Sequence, residues 1–338
     1  MRAAVPVGRL REVWESGPGR AGDPRGVSRV RATQIGGLDQ VIVTTEFERS
    51  AWDVQITFRP DGRVAGLFVR PGVAAAAAPT DVTGPAAVHG AAIVATFVLV
   101  ALFWYALRRR FAIPGRLYFF GAVIFIASQV AHVPFNAIVL PSVTRGGGDL
   151  VTTAVALGLS AAAFEELARY LAFRFWLRTD RGWTSALGLG AGHGGVEAIL
   201  LAAIAGISLI AAIIGRVMPS APAALVDTSA LYWSPPAALA LALPVERAFA
   251  LALHLSLAAL VMRSVDLGDI RYLAAAVAWH ALVDASAYYL PITSGVVATE
   301  AAVAVFAAIS LAVVWGLRPA PQPALPAAPS PIEPGTTF

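Results

Sequence analysis

The chain contains no cysteine and no lysine, and only 14% of its residues are charged. Without cysteine it can form neither disulfide bonds nor thiolate metal sites. With 57% hydrophobic residues and a mean hydropathy of +0.69, its 338 residues have the composition of a polytopic membrane protein. The net charge of +4 is carried by short loops and termini, so it indicates membrane topology and predicts no nucleic-acid partner.

Residues 1–72 differ from the rest of the chain, because they mix charged and apolar residues with the alternation of β-strands. The predicted elements are a short helix at 8–15, a strand at 39–45, and a hairpin of strands 53–58 and 63–69. Asp61-Gly62 supplies the tight turn of this hairpin. We expect a small soluble α+β domain over residues 1–72 and a linker over residues 73–86.

From residue 87 onward, seven apolar segments are long enough to cross about 30 Å of hydrocarbon. We place them at 87–107, 117–140, 150–176, 184–214, 236–261, 271–290 and 300–317. They predict an all-α polytopic membrane domain of about seven transmembrane helices over residues 87–317. Residues 318–338, which are rich in proline and alanine, predict a disordered cytoplasmic tail.

The arginines are distributed unevenly between the predicted loops. Of the arginines in the loops that follow the spans, most come after spans one, three, five and seven, as at 108–110 and Arg178, whereas the loops after spans two, four and six hold only Arg145 and Arg216. The positive-inside rule then predicts an extracytoplasmic N-terminal domain and a cytoplasmic C-terminus. The abundance of alanine and the exclusive use of arginine are typical of a GC-rich bacterial genome, so we expect a bacterial plasma membrane.

Residues 165–169 place two adjacent glutamates and an arginine inside the third predicted span. Each buried charge at the centre of a bilayer costs roughly 2.5 to 3.5 kcal/mol, so such residues persist when they are paired or functional. Arg169 follows Glu165 by four positions and Glu166 by three, so it can pair with either on a helix. Adjacent helical residues point about 100 degrees apart, which lets one glutamate face a cavity.

Polar residues recur at matching depths in spans three to six. Counted from the cytoplasmic helix ends at 1.5 Å per residue, three histidines lie about 14 Å deep and three carboxylates about 18 to 20 Å deep. The candidate site residues are Glu165, Glu166, Arg169, His193, Glu197, His254, His280 and Asp284. In both His193/Glu197 and His280/Asp284 the i, i+4 spacing lets the carboxylate orient the imidazole. Such a cluster suits general acid–base chemistry.

The remaining intramembrane polar residues we assign to packing or structure. They are His89, Gln129, His132, Asn136, Glu246 and Arg247. The glycines within residues 188–195 favour either close helix packing or room for a substrate backbone.

Four motifs together resemble those of a known family. Glu165-Glu166-Leu-Ala-Arg169, Gly192-His193-Gly-Gly-Val-Glu197, Glu246-Arg247 with His254, and His280-Ala-Leu-Val-Asp284 are similar to motifs of YhfC-type intramembrane peptidases. That group resembles the glutamate-dependent CAAX-processing and bacteriocin-processing membrane proteases, and more remotely the PrsW proteases. The resemblance covers residues 87–317. Within residues 46–71, the chain resembles a small domain of unknown function that recurs beside bacterial hydrolases and membrane peptidases.

The resemblance implies a four-helix catalytic core. In it Glu165 is the base that activates water, His193 is its partner, and His280 with Asp284 stabilises the oxyanion. Two motifs differ, since the relatives have Glu-Glu-x-x-x-Arg and Phe-x-x-x-His where this chain has Glu-Glu-x-x-Arg and His-x-x-x-Glu. His254 is therefore an alternative to His193.

The leading prediction is an intramembrane endopeptidase without a cofactor. Its partners would be the lipid bilayer and a membrane-embedded or membrane-associated peptide, hydrolysed by glutamate- and histidine-activated water. A zinc-dependent hydrolase is the nearest rival, because three histidines and a carboxylate can form a tetrahedral site, although no His-Glu-x-x-His occurs. A proton-coupled transporter is a rival from a different class, since acids and histidines form proton relays. A non-catalytic membrane sensor is the third rival hypothesis.

Overall fold

The computed structural model describes residues 7–35, 38–72, 81–139, 150–218, 221 and 223–319. The chain divides into two compact units. The first unit comprises residues 1–98 and 199–245, and the second comprises residues 99–198 and 246–338. The predicted disordered tail lies outside the described residues from position 320 onward, as do residues 73–80 of the predicted linker and Arg145.

The N-terminal part of the first unit is a four-stranded antiparallel sheet preceded by a helix. Its elements are α1 (Val7–Ser16), β1 (Pro24–Ile35), β2 (Leu38–Phe47), β3 (Ala51–Phe58) and β4 (Val64–Gly72), with the strands in the order β1-β2-β3-β4. The predicted hairpin is β3-β4, whose turn uses Gly62 at φ 77°. Strand β1 is absent from the sequence prediction, because Arg25, Arg29 and Arg31 interrupt its apolar pattern.

The rest of the described chain is helical. Its helices are α2 (Thr83–Phe111), α3 (Gly115–Ile138), α4 (Leu150–Leu171), α5 (Trp183–Val217), α6 (Ala223–Tyr232), α7 (Ala242–Leu267), α8 (Ile270–Thr293) and α9 (Gly295–Gly316). One π-helical turn, Ala172–Trp176, extends α4, and a 3₁₀ turn, Ala237–Leu241, precedes α7. Residues 83–86 of the predicted linker belong to α2.

The expected polytopic α-helical membrane protein with a small N-terminal α+β region is confirmed. Among the described residues, six helices are long and apolar enough to cross a membrane, and they correspond to six of the seven predicted spans. The remaining predicted span, 271–290, is helix α8, whose His280 and Asp284 lower its hydropathy. These polar residues belong to the cluster described below.

The glycines of α5 bring its backbone against two neighbouring helices in the second unit. A Cβ added at Gly192 would collide with the backbone oxygen of Tyr118 on α3. One added at Gly190 would lie 2.5 Å from the backbone oxygen of His254 on α7. Close packing therefore accounts for these glycines, and it brings the side chains of α5 within reach of the buried groups on α7.

Candidate functional site

The paired glutamates on α4 are buried together with their arginine. Glu166 and Arg169 are both 0% exposed, and Arg169 Nη1 donates a hydrogen bond to Glu166 Oε1. Arg169 Nη2 lies 3.7 Å from Glu165 Oε2, so the guanidinium contacts both carboxylates. A charge this deeply buried is tolerated only when it is paired, and Arg169 provides that pairing for Glu166.

Three imidazoles from three helices meet at these carboxylates. His193 Nε2 on α5 lies 2.9 Å from Glu165 Oε2, and His280 Nδ1 on α8 lies 2.7 Å from Glu166 Oε1. His254 on α7 has its ring centroid 4.9 Å from that of His193 and 6.0 Å from that of His280. The histidines that the sequence places at one depth therefore adjoin one another.

The two i, i+4 pairs have different outcomes. His280 Nε2 lies 3.4 Å from Asp284 Oδ2, as the spacing predicts. Glu197, however, accepts a hydrogen bond from His254 Nε2 at 2.7 Å, while His193 contacts Glu165. His193 and Glu197 are one turn apart on α5 and meet side chains of different helices. All eight predicted site residues therefore lie in one connected network, but its pairing differs from the predicted one.

Two residues that the sequence assigns to structure or packing in fact contact this network. Arg247 Nη1 donates to Glu197 Oε1 at 2.9 Å, and Gln129 Nε2 donates to Glu165 Oε1 at 3.1 Å. A signal for Gln129 exists in the sequence, because it shares a helix face with His132 and Asn136. The sequence argument misassigned Arg247 because it placed this residue two turns from His254, toward the predicted outer side of the span.

The network is most open at two of its carboxylates. The side chain of Asp284 is 38% exposed and that of Glu197 is 22% exposed, against 8% for Glu165. The three imidazoles and the glutamate pair are buried more deeply.

Glu165, His193 and His254 form a candidate metal site. One ligand atom from each lies within 4.8 Å of the others, and all three residues are buried. Carboxylate oxygen and imidazole nitrogen are the usual donors to zinc in cysteine-free sites. His193 Nδ1 is buried without a hydrogen-bond partner in the part of the chain that the structure describes. An unpartnered buried nitrogen is costly, and a metal ion bound by this imidazole would offset that cost.

His254 must exchange a partner if it binds an ion. Its Nδ1 lies 2.7 Å from Arg169 Nη2, and its Nε2 lies 2.7 Å from Glu197 Oε2. Since an arginine can only donate, Nδ1 is the acceptor and Nε2 carries the proton given to Glu197. A carboxylate that holds the second nitrogen of a histidine is a common support for metal ligation. The donor set and its support thus fit a metal, with Arg169 as the group to be displaced.

Comparisons with known proteins give one family match and one partial relative. The family described as YhfC intramembrane metalloprotease matches residues 93–307. The "Uncharacterized membrane protein YhfC" of Bacillus subtilis (strain 168) is 50% identical over 52 residues, which cover 15% of this chain and 20% of that relative. The match thus spans about a fifth of the curated relative's length. No solved structure matches the chain.

The resemblance to YhfC-type proteins is thereby confirmed, and the expectation of no cofactor is wrong. Two findings overturn it, namely the description of the matching family as metalloproteases and the Glu165, His193 and His254 cluster. The metal-free prediction came mainly from the likeness to glutamate-dependent proteases. The lack of a His-Glu-x-x-His motif added to it, whereas the donors in the structure come from three separate helices.

Proposed function

This chain belongs to the YhfC intramembrane metalloprotease family, and we propose that it is a metal-dependent endopeptidase that cuts membrane-embedded or membrane-associated peptides. The observation that supports this most is the buried cluster of Glu165, His193 and His254 inside a polytopic helical bundle. A divalent ion held there would polarise a peptide carbonyl and lower the pKa of a bound water.

The remaining residues of the network have proposed supporting roles. Glu166 and Arg169 form a buried pair that fixes α4 beside the metal ligands. Glu197 keeps the His254 proton on Nε2 and leaves Nδ1 as the acceptor. This tautomer is the one that metal ligation through Nδ1 requires.

We assign oxyanion stabilisation to His280, supported by Asp284. Its Nδ1 donates to Glu166 Oε1, and its Nε2 lies 3.4 Å from Asp284 and 3.9 Å from Glu165 Oε2. With both ring nitrogens protonated, the N–H at Nε2 would face the same space as Glu165 and would stabilise negative charge that develops on a carbonyl oxygen. Asp284, the most exposed carboxylate of the network, links this nitrogen to the open side.

An apolar cleft between α3 and α4 suits an apolar substrate side chain. Its volume is about 400 Å³, and its lining includes Ile124, Ala127, Ala168 and Phe175. Ala168 follows Glu165 by three residues on α4, so the cleft begins one turn from that carboxylate. We expect Ala168→Phe to reduce cleavage without loss of bound metal, and unchanged cleavage would argue against this subsite.

The test combines metal content with the mapping of new protein termini. Wild-type protein purified in detergent is expected to carry a stoichiometric divalent metal, and cells that express it should contain cleaved membrane-protein termini. His193→Ala should lose both the metal and the termini. The matched control is His89→Ala, which removes a histidine that lies outside the cluster.

Two results would overturn the proposal. One is a purified wild-type protein that binds no added Zn²⁺, Co²⁺ or Mn²⁺. The second is a set of new termini that His193→Ala leaves unchanged. Metal-dependent flux through proteoliposomes without any cleavage would instead favour transport.

We also propose that the N-terminus lies outside a bacterial plasma membrane and the C-terminus in the cytoplasm, because arginines concentrate at alternate helix ends. The native chain has no cysteine, so single cysteines report topology without background. Ser50→Cys, in the exposed β2–β3 turn, should react with an impermeant maleimide on intact cells or spheroplasts, whereas Thr179→Cys should react only after lysis. The reverse pattern would refute this orientation.

A further inference from the structure

A row of hydrogen-bonded polar side chains on α3 ends at Glu165, and the roles proposed above do not account for it. Gln129, His132 and Asn136 are spaced i, i+3 and i+7, so they share one face of the helix. Ser160 on α4 faces them. Polar side chains at this depth in an apolar helix are retained for a reason, since each needs a hydrogen-bond partner away from water.

The four side chains form a continuous series of hydrogen bonds. Gln129 Oε1 lies 3.1 Å from His132 Nδ1, and His132 Nε2 lies 2.9 Å from Asn136 Nδ2. Ser160 Oγ donates to Asn136 Oδ1 at 2.9 Å. The His132 ring also stacks on Phe164, the neighbour of Glu165, with ring centroids 5.6 Å apart.

The series has only one consistent direction when Glu165 is an ionised ligand. A carboxylate accepts only, so the amide nitrogen of Gln129 must face Glu165 Oε1, at the observed 3.1 Å. The carbonyl oxygen of Gln129 then faces His132, which must donate from Nδ1. Because Nδ1 carries the proton of the neutral ring, His132 Nε2 is left to accept, from Asn136 Nδ2 at 2.9 Å or from Ser160 Oγ at 3.2 Å.

We propose that His132 is a positioning residue that acts on the metal site through Gln129. The Nδ1–H of His132 holds the Gln129 amide in the orientation in which its nitrogen donates a hydrogen bond to Glu165 Oε1. The second carboxylate oxygen, Oε2, then faces His193 Nε2 at 2.9 Å and is the oxygen that would bind an ion in exchange for that contact. This inference deepens the proposed function and rests on its assignment of Glu165 as a ligand.

The tautomer of His132 is directly measurable. The chain has five histidines, so a long-range ¹⁵N–¹H spectrum of ¹⁵N-histidine-labelled protein in micelles contains five imidazoles. The His132 signals are those lost in His132→Asn. We expect the neutral Nδ1–H form in Zn²⁺-loaded wild-type protein, and in metal-free protein at a pH high enough to ionise Glu165. An Nε2–H form would overturn the inference, because Nδ1 could not then donate to Gln129.

Two near-isosteric variants of His132 test the roles of its two ring nitrogens separately. The side-chain nitrogen of asparagine replaces Nδ1, whereas that of glutamine replaces Nε2. His132→Asn should therefore keep the donor to Gln129 and bind Zn²⁺ nearly as well as wild type. His132→Gln should weaken Zn²⁺ binding by about 10-fold or more, the usual effect of losing a support for a metal ligand. Equal Zn²⁺ dissociation constants for the two variants, measured by chelator competition, would refute the positioning role.

The outcomes distinguish this inference from the proposed function. If wild-type protein binds no Zn²⁺, the metallopeptidase proposal fails, and the tautomer of His132 still tests the direction of these hydrogen bonds. If wild type binds Zn²⁺ and His132→Gln binds it equally, only the positioning role is lost. Thermal unfolding of both variants under the same conditions shows whether weaker Zn²⁺ binding results from misfolding. If a variant does not fold, the tautomer of His132 in the wild-type protein still tests the inference.

Discussion

Three clustered histidines of the second unit and a single histidine of the first unit have contrasting partners. In the second unit, His193, His254 and His280 each contact a glutamate, and an arginine lies among them. In the first unit, His89 meets a neutral phenol, since its Nδ1 lies 2.7 Å from Tyr232 Oη, and its ring packs against Trp233. Both environments give each of these histidines a polar partner inside an apolar helix. Only the first concentrates charge, which burial penalises and which a function must explain.

The largest expected effect on stability comes from removing the partner of a buried charge in the second unit. Arg169→Leu removes the partner of Glu166, whose carboxylate is fully buried. We expect it to lower the free energy of unfolding by about 3 to 5 kcal/mol, as when one member of a buried ion pair is removed. Unfolding of purified protein in mixed micelles measures this change.

Arg116→Leu is the matched control for that loss. Its ion pair with Asp180 is at the surface, with 58% of the arginine side chain exposed. Exposed pairs contribute at most about 1 kcal/mol. Equal losses of unfolding free energy in the two variants would contradict the burial of the Arg169 ion pair.

Metal removal should have an effect of intermediate size on stability, and this effect should depend on His193 and not on His89. Zn²⁺ at 100 times its dissociation constant stabilises a folded protein by about 2.7 kcal/mol. A chelator should therefore lower the unfolding midpoint of wild type and of His89→Ala by similar amounts. It should leave His193→Ala unchanged, because that variant has lost a ligand. A chelator response in His193→Ala would place the ion elsewhere.

The smallest expected effect concerns the neutral partner of His89. Tyr232→Phe removes one hydrogen bond from His89 and should lower the free energy of unfolding by about 0.5 to 1.5 kcal/mol. Bound zinc and cleavage should match wild type, since no charge or metal ligand changes. Loss of zinc in this variant would contradict the division between His89 and the three clustered histidines.

The sequence predicted the helices better than it predicted their partners. Hydropathy alone located six helices that are able to span a membrane, because a run of about twenty apolar residues has few stable conformations besides a spanning helix. It missed β1, where arginines alternate with small and apolar residues and weaken the strand signal. It also left Gln129 and Arg247 outside the site, since one polar residue on an apolar helix does not reveal which neighbouring helix it faces.

The candidate metal site shows most clearly that a sequence does not reveal which residues of different helices meet. A local motif such as His-Glu-x-x-His is visible in a sequence because its ligands share one helix, whereas Glu165, His193 and His254 come from α4, α5 and α7. Their proximity depends on how those helices pack, which the glycines of α5 permit but do not specify.

The sequence by itself determined that this is a polytopic membrane protein and which buried residues carry its charge, because the cost of burying polar groups acts on each helix separately. The helix period also fixed which residues share a face and a depth. Only the tertiary structure decided that His193 meets Glu165 and that Glu197 meets His254. The physical reason is that partners on different helices are chosen by backbone packing and rotation, and these depend on contacts distributed along the whole bundle.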